Sequence, residues 1–261
     1  MSLTVRPWET SLAMQKGKFP KMKAKLYLIR KTKALFLKFR LHVLIEPFSG
    51  FLVNLAYLSK LSKWRDNTPC PTFDDFYSKK VNYSKRYDLY RFILEKEQLS
   101  QEIDYLEFGV AQGDSFKWWV RNNRNKNSRF VGFDTFTGLP EDWNIFKQGA
   151  MSTNGESPEI GDERCEFNAG LFQKTLPIFL EEFHSDRKLV IHLDADLYSS
   201  TLYVLTALAT VLKRGDILIF DEFGVPSHEF RAFLDFIHSY YLEYELLAAS
   251  NNYLQIALKV K

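Results

Sequence analysis

The segments Leu189-Val-Ile-His-Leu-Asp-Ala-Asp196 and Asp216-Ile-Leu-Ile-Phe-Asp-Glu222 decide the fold. Each is a short apolar run that stops at acidic residues, and a helix is predicted between the two runs. Strands that alternate with helices predict an open parallel sheet, in which ligands bind beyond the carboxyl ends of the strands. We therefore expect four acids to crowd one edge of the sheet: Asp194, Asp196, Asp221 and Glu222.

Four neighbouring carboxylates repel one another unless a cation, a proton or a basic group compensates their charge. Because carboxylates are hard oxygen ligands, the expected cation is Mg²⁺ or a similar ion. The alternative is that these acids only cap helices and solubilise the strand ends.

An earlier apolar strand runs into a glycine-containing turn, Tyr105-Leu-Glu107-Phe-Gly109-Val-Ala-Gln-Gly113-Asp-Ser115. A helix is predicted to begin after the turn, capped by Asp114 or Ser115. Glycine at 109 and 113 lets a ligand approach the backbone closely. The spacing Glu-x-Gly-x-x-x-Gly differs from Gly-x-Gly-x-x-Gly, so the turn alone indicates a nucleoside or dinucleotide site only weakly.

The next predicted strand, Arg129–Asp134, ends in an acid 25 residues after Gly109. An acid at about that distance hydrogen-bonds the ribose hydroxyls in nucleoside-binding α/β units. Asp134 is therefore a candidate ribose ligand, and a simple helix cap is the alternative.

Charge is distributed unevenly along the chain. Up to Arg65 there are 14 Lys and Arg residues against only Glu9 and Glu46, whereas acids outnumber bases in the remainder. This pattern predicts a basic helical extension over residues 1–72 and a catalytic domain over 73–261. The extension is interpreted either as an interfacial helix on an anionic membrane or as a helical extension packed on the domain. Nucleic acid is not the expected partner, because no nucleic-acid-binding module spacing is present.

No stretch of about 18 uncharged apolar residues occurs, so no transmembrane helix is expected. Cys70 and Cys165 show neither a CxxC motif nor a disulfide framework, which favours a reducing compartment. The expected location is cytoplasmic, with peripheral contact to the inner face of the membrane as an option. The aromatic-rich helices before Tyr105 leave a homodimer contact open.

Four motifs together resemble the macrocin O-methyltransferase family over about Tyr83–Lys261. They are Glu107-Phe-Gly-Val-Ala-Gln-Gly113, Phe133-Asp-Thr-Phe-Thr-Gly-Leu-Pro140, His192-Leu-Asp-Ala-Asp-Leu-Tyr-Ser-Ser-Thr201 and Phe220-Asp-Glu222. The resemblance implies a class I enzyme that uses S-adenosylmethionine and Mg²⁺ to methylate a sugar hydroxyl. The acceptor could be a small glycosylated natural product, a glycolipid or a polysaccharide.

The fold that we expect is a doubly wound, Rossmann-like α/β sheet of seven mostly parallel strands. Tyr244–Ala249 and Tyr253–Val260 flank a turn and predict a C-terminal antiparallel hairpin at its edge. The polar segment 147–160 is either a lid over bound ligand or a surface loop.

The resemblance also implies residue roles. Asp194, Asp221 and Glu222 are the implied metal ligands, and Asp196 is the implied general base. His228, close to the acids in sequence, is a candidate second base or substrate contact. The family usually has Asp-Asp where this chain has Asp221-Glu222, so the metal geometry is open. The candidate cofactor-binding residues are Glu107, Gly109, Gly113, Ser115, Asp134, Thr135, Asn168 and Asp194.

Two other functions remain alternatives. Asp194-Ala-Asp196 has the form of a DxD motif, which would suit a metal-dependent glycosyltransferase. A non-catalytic, membrane-associated scaffold is the other alternative, but retention of all four carboxylates argues against it.

Overall fold

The computed structural model describes residues 19–143 and 145–261, in two compact units that divide between Val53 and Asn54. The predicted division at 72/73 therefore stays a prediction about domain organisation. In the smaller unit, helices α1 (Phe19–Lys38) and α2 (His42–Ile45) are followed by a 3₁₀ turn (Glu46–Phe48) and the start of α3 (Ser49–Asn67). Pro47 lies in that 3₁₀ turn, where a missing N–H interrupts the α-helical pattern.

Within the described part of the smaller unit most side chains face solvent, including large apolar ones such as Leu28, Leu37 and Phe51. Among the described residues, no single helix has the length and apolar character to cross a membrane. A bent pair, Met22–Lys38 with His42–Asn67 at 85°, meets the length and composition criteria only when taken together.

The larger unit contains one sheet and the helices that cover it. Its remaining elements, in chain order, are β1 (Phe73–Asp74), α4 (Lys85–Lys96), β2 (Ile103–Phe108), α5 (Asp114–Asn122), β3 (Arg129–Asp134), β4 (Cys165–Ala169), α6 (Phe172–Glu182), β5 (Lys188–Leu193), α7 (Tyr198–Leu208), β6 (Ile217–Phe220), α8 (Glu229–Tyr240), β7 (Tyr244–Ser250) and β8 (Gln255–Val260).

The sheet has eight strands in the order β1-β7-β8-β6-β5-β2-β3-β4. The expectation of seven strands was wrong, because β1 adds a parallel edge to β7. With only two residues, β1 is too short to show the alternating pattern that identifies a strand. The mostly parallel sheet and the antiparallel β7–β8 hairpin are confirmed.

Alternate residues along the strands pack into two separate hydrophobic cores, one on each face of the sheet. Leu106 and Ile191 pack on the face covered by α6, α7, α8 and Trp64 of α3. Tyr105 and Val190 pack on the opposite face, against α4 and α5. This period-of-two division between helical layers is the doubly wound architecture that the apolar strands predict.

Strand order reverses between β2 and β5. The chain moves from β2 outward to β3 and β4 and then returns to place β5 on the other side of β2. Ligands bind at such a switch point, beyond the carboxyl ends of the strands. Phe108, Asp134, Leu193 and Phe220 end the four central parallel strands at that edge.

Candidate active site

A cavity of about 340 Å³ opens at the carboxyl edge of the sheet. Five acids from three strand ends line it together: Asp134, Asp194, Asp196, Asp221 and Glu222. The last four, which we call the acidic edge, are the residues that the sequence predicted to lie together, and the structure brings them into one cavity.

The turn after β2 and the end of β5 lie in direct contact. Gly109 has φ +95, and a Cβ atom placed there would lie 1.8 Å from the backbone oxygen of Asp194. Glycine is therefore required for two reasons, the positive φ and the lack of space. This contact fixes the glycine turn against the strand end that carries Asp194.

Asp134 secures the same turn from the other side. Its Oδ2 accepts hydrogen bonds from the backbone N–H groups of Val110 (2.8 Å) and Ala111 (2.9 Å), and its Oδ1 accepts one from Phe136 (2.7 Å). Asp134 thus shapes the backbone around the cavity as well as lining it. Its predicted contact with ribose stays a prediction.

Glu107 lies beneath the cavity rather than in its wall. It is fully buried and accepts hydrogen bonds from Ser115 (2.7 Å) and from the Tyr105 hydroxyl. The structure also corrects the predicted cap of α5, because Gly113, with φ +74, occupies the N-cap position and no side chain caps the helix. Ser115 lies inside the helix and turns its hydroxyl to Glu107 instead.

A chain of buried hydrogen bonds runs from Glu107 to the acidic edge. Tyr105 contacts His192 Nδ1 at 2.8 Å, and the Tyr90 hydroxyl lies 3.1 Å from His192 Nε2 and donates to Asp221 Oδ1 at 3.1 Å. His192 is completely buried between the two tyrosines. It therefore supports the site from within the core.

Asp194 and Asp196 do not share one strand face, because β5 ends at Leu193. Asp196 instead has φ +59, and this left-handed conformation turns the chain so that both carboxyl groups still line the cavity.

Burial raises the pKa of Asp196 to about 7, and the charges of Asp221 and Asp134 add to the shift. Burial, then the nearby Asp221 and Asp196, raise the pKa of Glu222 to about 8. The pKa of Asp194 is also well above its ordinary value, first because it is buried and then because other acids surround it. The acidic edge therefore holds protons near neutral pH unless a cation enters.

One basic side chain reaches the acidic edge from α4. Arg86 Nη1 donates to Asp221 Oδ2 at 3.1 Å, while Tyr90 occupies Asp221 Oδ1. Burial opposes the charge of Arg86, but the neighbouring Asp221 raises its pKa above the ordinary value. Asp221 is thus held by one cation and one hydroxyl.

A buried acid on α8 lies behind Glu222. Glu229 is fully buried, and its Oε2 accepts the backbone N–H of Glu222 at 3.0 Å. Its Oε1 has no hydrogen-bond partner among the described residues. Burial, followed by the charges of Asp196 and Glu222, raises the pKa of Glu229 well above its ordinary value.

The chemistry of the donor set suits a hard divalent ion, but its arrangement does not. Within residues 19–143 and 145–261, no three acidic, histidine or cysteine side chains are grouped to hold one ion. Both oxygens of Asp221 already accept hydrogen bonds. The implied ligands Asp194, Asp221 and Glu222 therefore do not fit a bound Mg²⁺ as they stand, and their metal role stays a prediction.

The candidate cofactor residues divide into two groups. Gly109, Asp134, Thr135 and Asp194 line the cavity, whereas Glu107, Gly113, Ser115 and Asn168 do not. Asn168 is half-buried at the edge strand β4, where its Nδ2 lies 3.4 Å from Glu166 Oε1. The structure therefore does not bring Asn168 together with the others.

An apolar wall faces the acids across the cavity. It is formed by residues of the segment after β3, namely Leu139, Pro140, Trp143, Phe146 and Met151. The rings of Trp143 and Phe146 stack at a centroid distance of 5.3 Å. His228 does not line the cavity; it lies edge-on to Trp143, and burial lowers its pKa.

Arg86, Tyr83 and Glu229 are the site residues that the sequence did not single out for a role. The first two line the cavity from α4 and the residues just before it, and Glu229 starts α8. For Tyr83 and Arg86 the available signal was the helical periodicity of residues 74–99, which contain several Tyr and Arg side chains, because a helix near the sheet edge can contribute such side chains to a pocket.

Comparisons with known proteins agree with this geometry. A family model described as Macrocin-O-methyltransferase (TylF) matches residues 144–249. The chain is similar in structure to CalS11, a calicheamicin methyltransferase, with 23% identity and a TM-score of 0.55, covering 78% of this chain and 91% of that one. It is also similar to the O-methyltransferase NovP, with 19% identity and a TM-score of 0.53, covering 81% and 98%. No curated protein matches the chain.

The solved structures establish the fold, and the family model covers β4 to β7 with the acidic edge between them. The resemblance found in the four motifs is thereby confirmed, and methyl transfer is favoured over the DxD and scaffold alternatives. The match to the macrocin O-methyltransferase model over residues 144–249, on a fold shared with O-methyltransferases, makes the chain similar to that family, and the chain is an S-adenosylmethionine-dependent O-methyltransferase.

Proposed function

We propose that this enzyme methylates a sugar hydroxyl of a glycosylated small molecule, with Asp196 as the general base. The proposal rests on two properties of Asp196, its raised pKa and its position in the cavity. Asp196 combines a pKa of about 7 with a place in the same cavity as the glycine turn that would hold the cofactor. A base with a pKa near the working pH combines the correct protonation state with useful basicity.

The cofactor would bind where β2 and β3 end. Gly109 lines this part of the cavity, and Asp134 and Thr135 line the adjoining wall. An adenosyl group on this side would direct the sulfonium methyl toward the acidic edge. Buried carboxylates there favour a positively charged sulfonium, because opposite charges attract strongly in a site of low dielectric constant.

The acceptor would lie between the apolar wall and the acids. A sugar has apolar C–H faces that pack on aromatic rings, and Trp143 and Phe146 offer such rings. When bound, S-adenosylmethionine would supply the methyl group to the acceptor oxygen and would leave as S-adenosylhomocysteine, with the electron pair of the former S–CH₃ bond on sulfur. The hydroxyl proton passes to the Asp196 carboxylate. Holding the two reactants in line supplies much of the catalysis.

Mg²⁺ remains part of the prediction as a group that would lower the pKa of the acceptor hydroxyl when bound. The donor chemistry of Asp194, Asp221 and Glu222 supports it, and the arrangement described above does not. We therefore assign the proton to Asp196 and leave the metal outside the reaction steps.

We also propose that residues 19–53 bind an anionic membrane surface, which would favour a membrane-linked acceptor. In these residues eight Lys and Arg side chains stand against the single acid Glu46. Large apolar side chains between the basic residues are exposed. Exposed apolar and basic residues together match the acyl boundary and headgroups of an anionic bilayer.

The first test is calorimetric titration of the full chain with S-adenosylhomocysteine, followed by transfer of a tritiated methyl group to a panel of glycosides. We expect micromolar binding and label only in acceptors with a free sugar hydroxyl. Absence of binding would overturn the proposed cofactor site. Labelling of non-glycosylated hydroxyl compounds at equal rates would overturn the sugar acceptor.

A further inference from the structure

The position of Arg86 deepens the proposed function and rests on its acidic edge. Arg86 is the only Lys, Arg or His among the described residues that line the cavity, whereas five of these lining residues are acids. It lies in the first turn of α4, and its side chain is 19% exposed where it meets Asp221, which is 3% exposed. The ion pair is therefore largely shielded from water, and solvent screens it only weakly.

The Arg86 guanidinium makes few other hydrogen bonds. Its Nε is buried without a hydrogen-bond partner among the described residues, and its Nη2 lies 3.5 Å from the Tyr87 hydroxyl, at the limit of a hydrogen bond. Its only short contact is the one to Asp221 at 3.1 Å. Loss of Asp221 as a partner would thus free the guanidinium from its single strong anchor.

A divalent ion on Asp221 would lie next to the guanidinium. Two positive groups a few ångströms apart repel each other strongly at the effective dielectric constants of protein sites. Asp221 therefore cannot hold the ion and keep the Arg86 contact at full strength. The same contact explains why the donor set has suitable chemistry without a metal-binding arrangement.

We propose that Arg86 is the resident cation of the acidic edge and competes with divalent metal for Asp221. In this state Arg86 stabilises the Asp221 carboxylate and keeps it oriented toward Tyr90. Metal binds only when the guanidinium leaves Asp221. Arg86 is accordingly a positioning residue that acts through Asp221 and sets the metal affinity of the site.

The test is direct measurement of Mn²⁺ binding by electron paramagnetic resonance of the free ion, in the wild-type chain and in Arg86→Gln. Removing one positive charge beside the ion should tighten Mn²⁺ binding by about tenfold or more. Arg91→Gln is the matched control, because Arg91 lies on the same helix, is exposed and pairs with Asp88 at 3.0 Å. It should bind Mn²⁺ as the wild type does.

Titration with S-adenosylhomocysteine accompanies each variant, so that a misplaced cofactor site is distinguished from a wrong role for Arg86. Mn²⁺ affinity that is unchanged or weaker in Arg86→Gln, with S-adenosylhomocysteine binding retained, overturns the inference. If Arg86→Gln does not fold, Arg86→Met carries the same test, because Met keeps the length and helix propensity of the side chain.

Discussion

Two regions of this protein concentrate charge of one sign, and they do so in opposite ways. The acidic edge places its carboxyl groups in a cavity at the end of the sheet, and Arg86 is the one basic side chain among the described residues that line this cavity. Residues 19–53 spread their basic groups over exposed helices among exposed apolar side chains. Burial makes like charges costly and raises the pKa of Asp196 and Glu222, whereas water and salt screen the basic residues.

The difference shows what each region can do. Buried charges of one sign create a site whose protonation changes near neutral pH, which is useful for moving a proton. Exposed charges of one sign create a surface whose binding depends on a partner of opposite charge and on salt. Under the proposals above, like charges serve chemistry in the buried region and membrane attachment in the exposed one.

The largest effect, a loss of turnover, is expected from Asp196→Asn, which removes the proposed base from the acidic edge. Asn tolerates the left-handed φ of +59 at this position, so the backbone should be retained. Because general base catalysis contributes roughly 10²–10⁴-fold, kcat should fall by that factor while S-adenosylhomocysteine affinity stays nearly intact. Steady-state methyl transfer and calorimetry measure the two quantities.

Asp186→Asn provides the control for this variant, because Asp186 is fully exposed and pairs only with Lys213. It should retain wild-type turnover. Near-normal turnover in Asp196→Asn would show that Asp196 is not the base. The proposed contrast between a catalytic buried region and a membrane-binding exposed region would then lose its support.

The next largest effect is expected on membrane binding by the exposed residues 19–53. The triple variant Lys23→Gln, Lys25→Gln, Lys31→Gln should lower partitioning onto anionic vesicles by roughly a hundredfold, since each basic residue near an anionic surface contributes about 1 kcal/mol. Sedimentation with phosphatidylserine-containing vesicles at low salt measures the change.

A triple Lys→Gln variant at exposed positions of the larger unit, Lys96, Lys126 and Lys174, is the matched control and should partition like the wild type. Equal loss in both triple variants would assign binding to net charge rather than to residues 19–53. Equal binding of the wild type to zwitterionic vesicles would contradict the electrostatic part of the proposal.

The smallest effect is a gain in stability from Glu222→Gln. The pKa of Glu222 rises from 4.5 to about 8 on folding, so between those pH values the folded state binds more protons than the unfolded state. Stability from this group therefore falls as pH rises through that window. The variant should gain on the order of 1–3 kcal/mol at pH 8.5 and almost nothing at pH 4.

Urea unfolding in the presence of EDTA at the two pH values measures this gain, with exposed Glu163→Gln as the control. A gain of the same size at both pH values would mean that packing, rather than the protonation of Glu222, is responsible. Loss of stability at pH 8.5 would mean that the Glu222 carboxylate is favourably paired in the folded protein.

The sequence predicted the parts of the fold that depend on local pattern. Apolar runs ending at Asp194 and Asp221, and the glycine turn at Gly109, located the sheet edge and its cavity. Strand β1 escaped prediction, because two residues cannot show alternation and their pairing with β7 is a long-range contact. The left-handed turn at Asp196 also escaped, because Asp adopts that conformation only where tertiary contacts favour it.

The partners of the acids could not be predicted for a related reason. Arg86 and Tyr90 lie on α4, more than a hundred residues before Asp221, and which face of that helix meets the sheet depends on how the cores pack. Glu229 could be recognised as the first residue of a helix, but its burial behind Glu222 could not.

The contact between Gly109 and the Asp194 backbone bears on how such an enzyme could change its acceptor. A side chain at 109 would collide with the neighbouring strand end, so this turn, which is proposed to face the cofactor, has almost no freedom to vary at Gly109. The apolar wall around Trp143 and Phe146 lies on an irregular segment outside the two main cores. If the acceptor lies against this wall as proposed, we expect substitutions in that segment to change acceptor choice with little effect on the turn at Gly109.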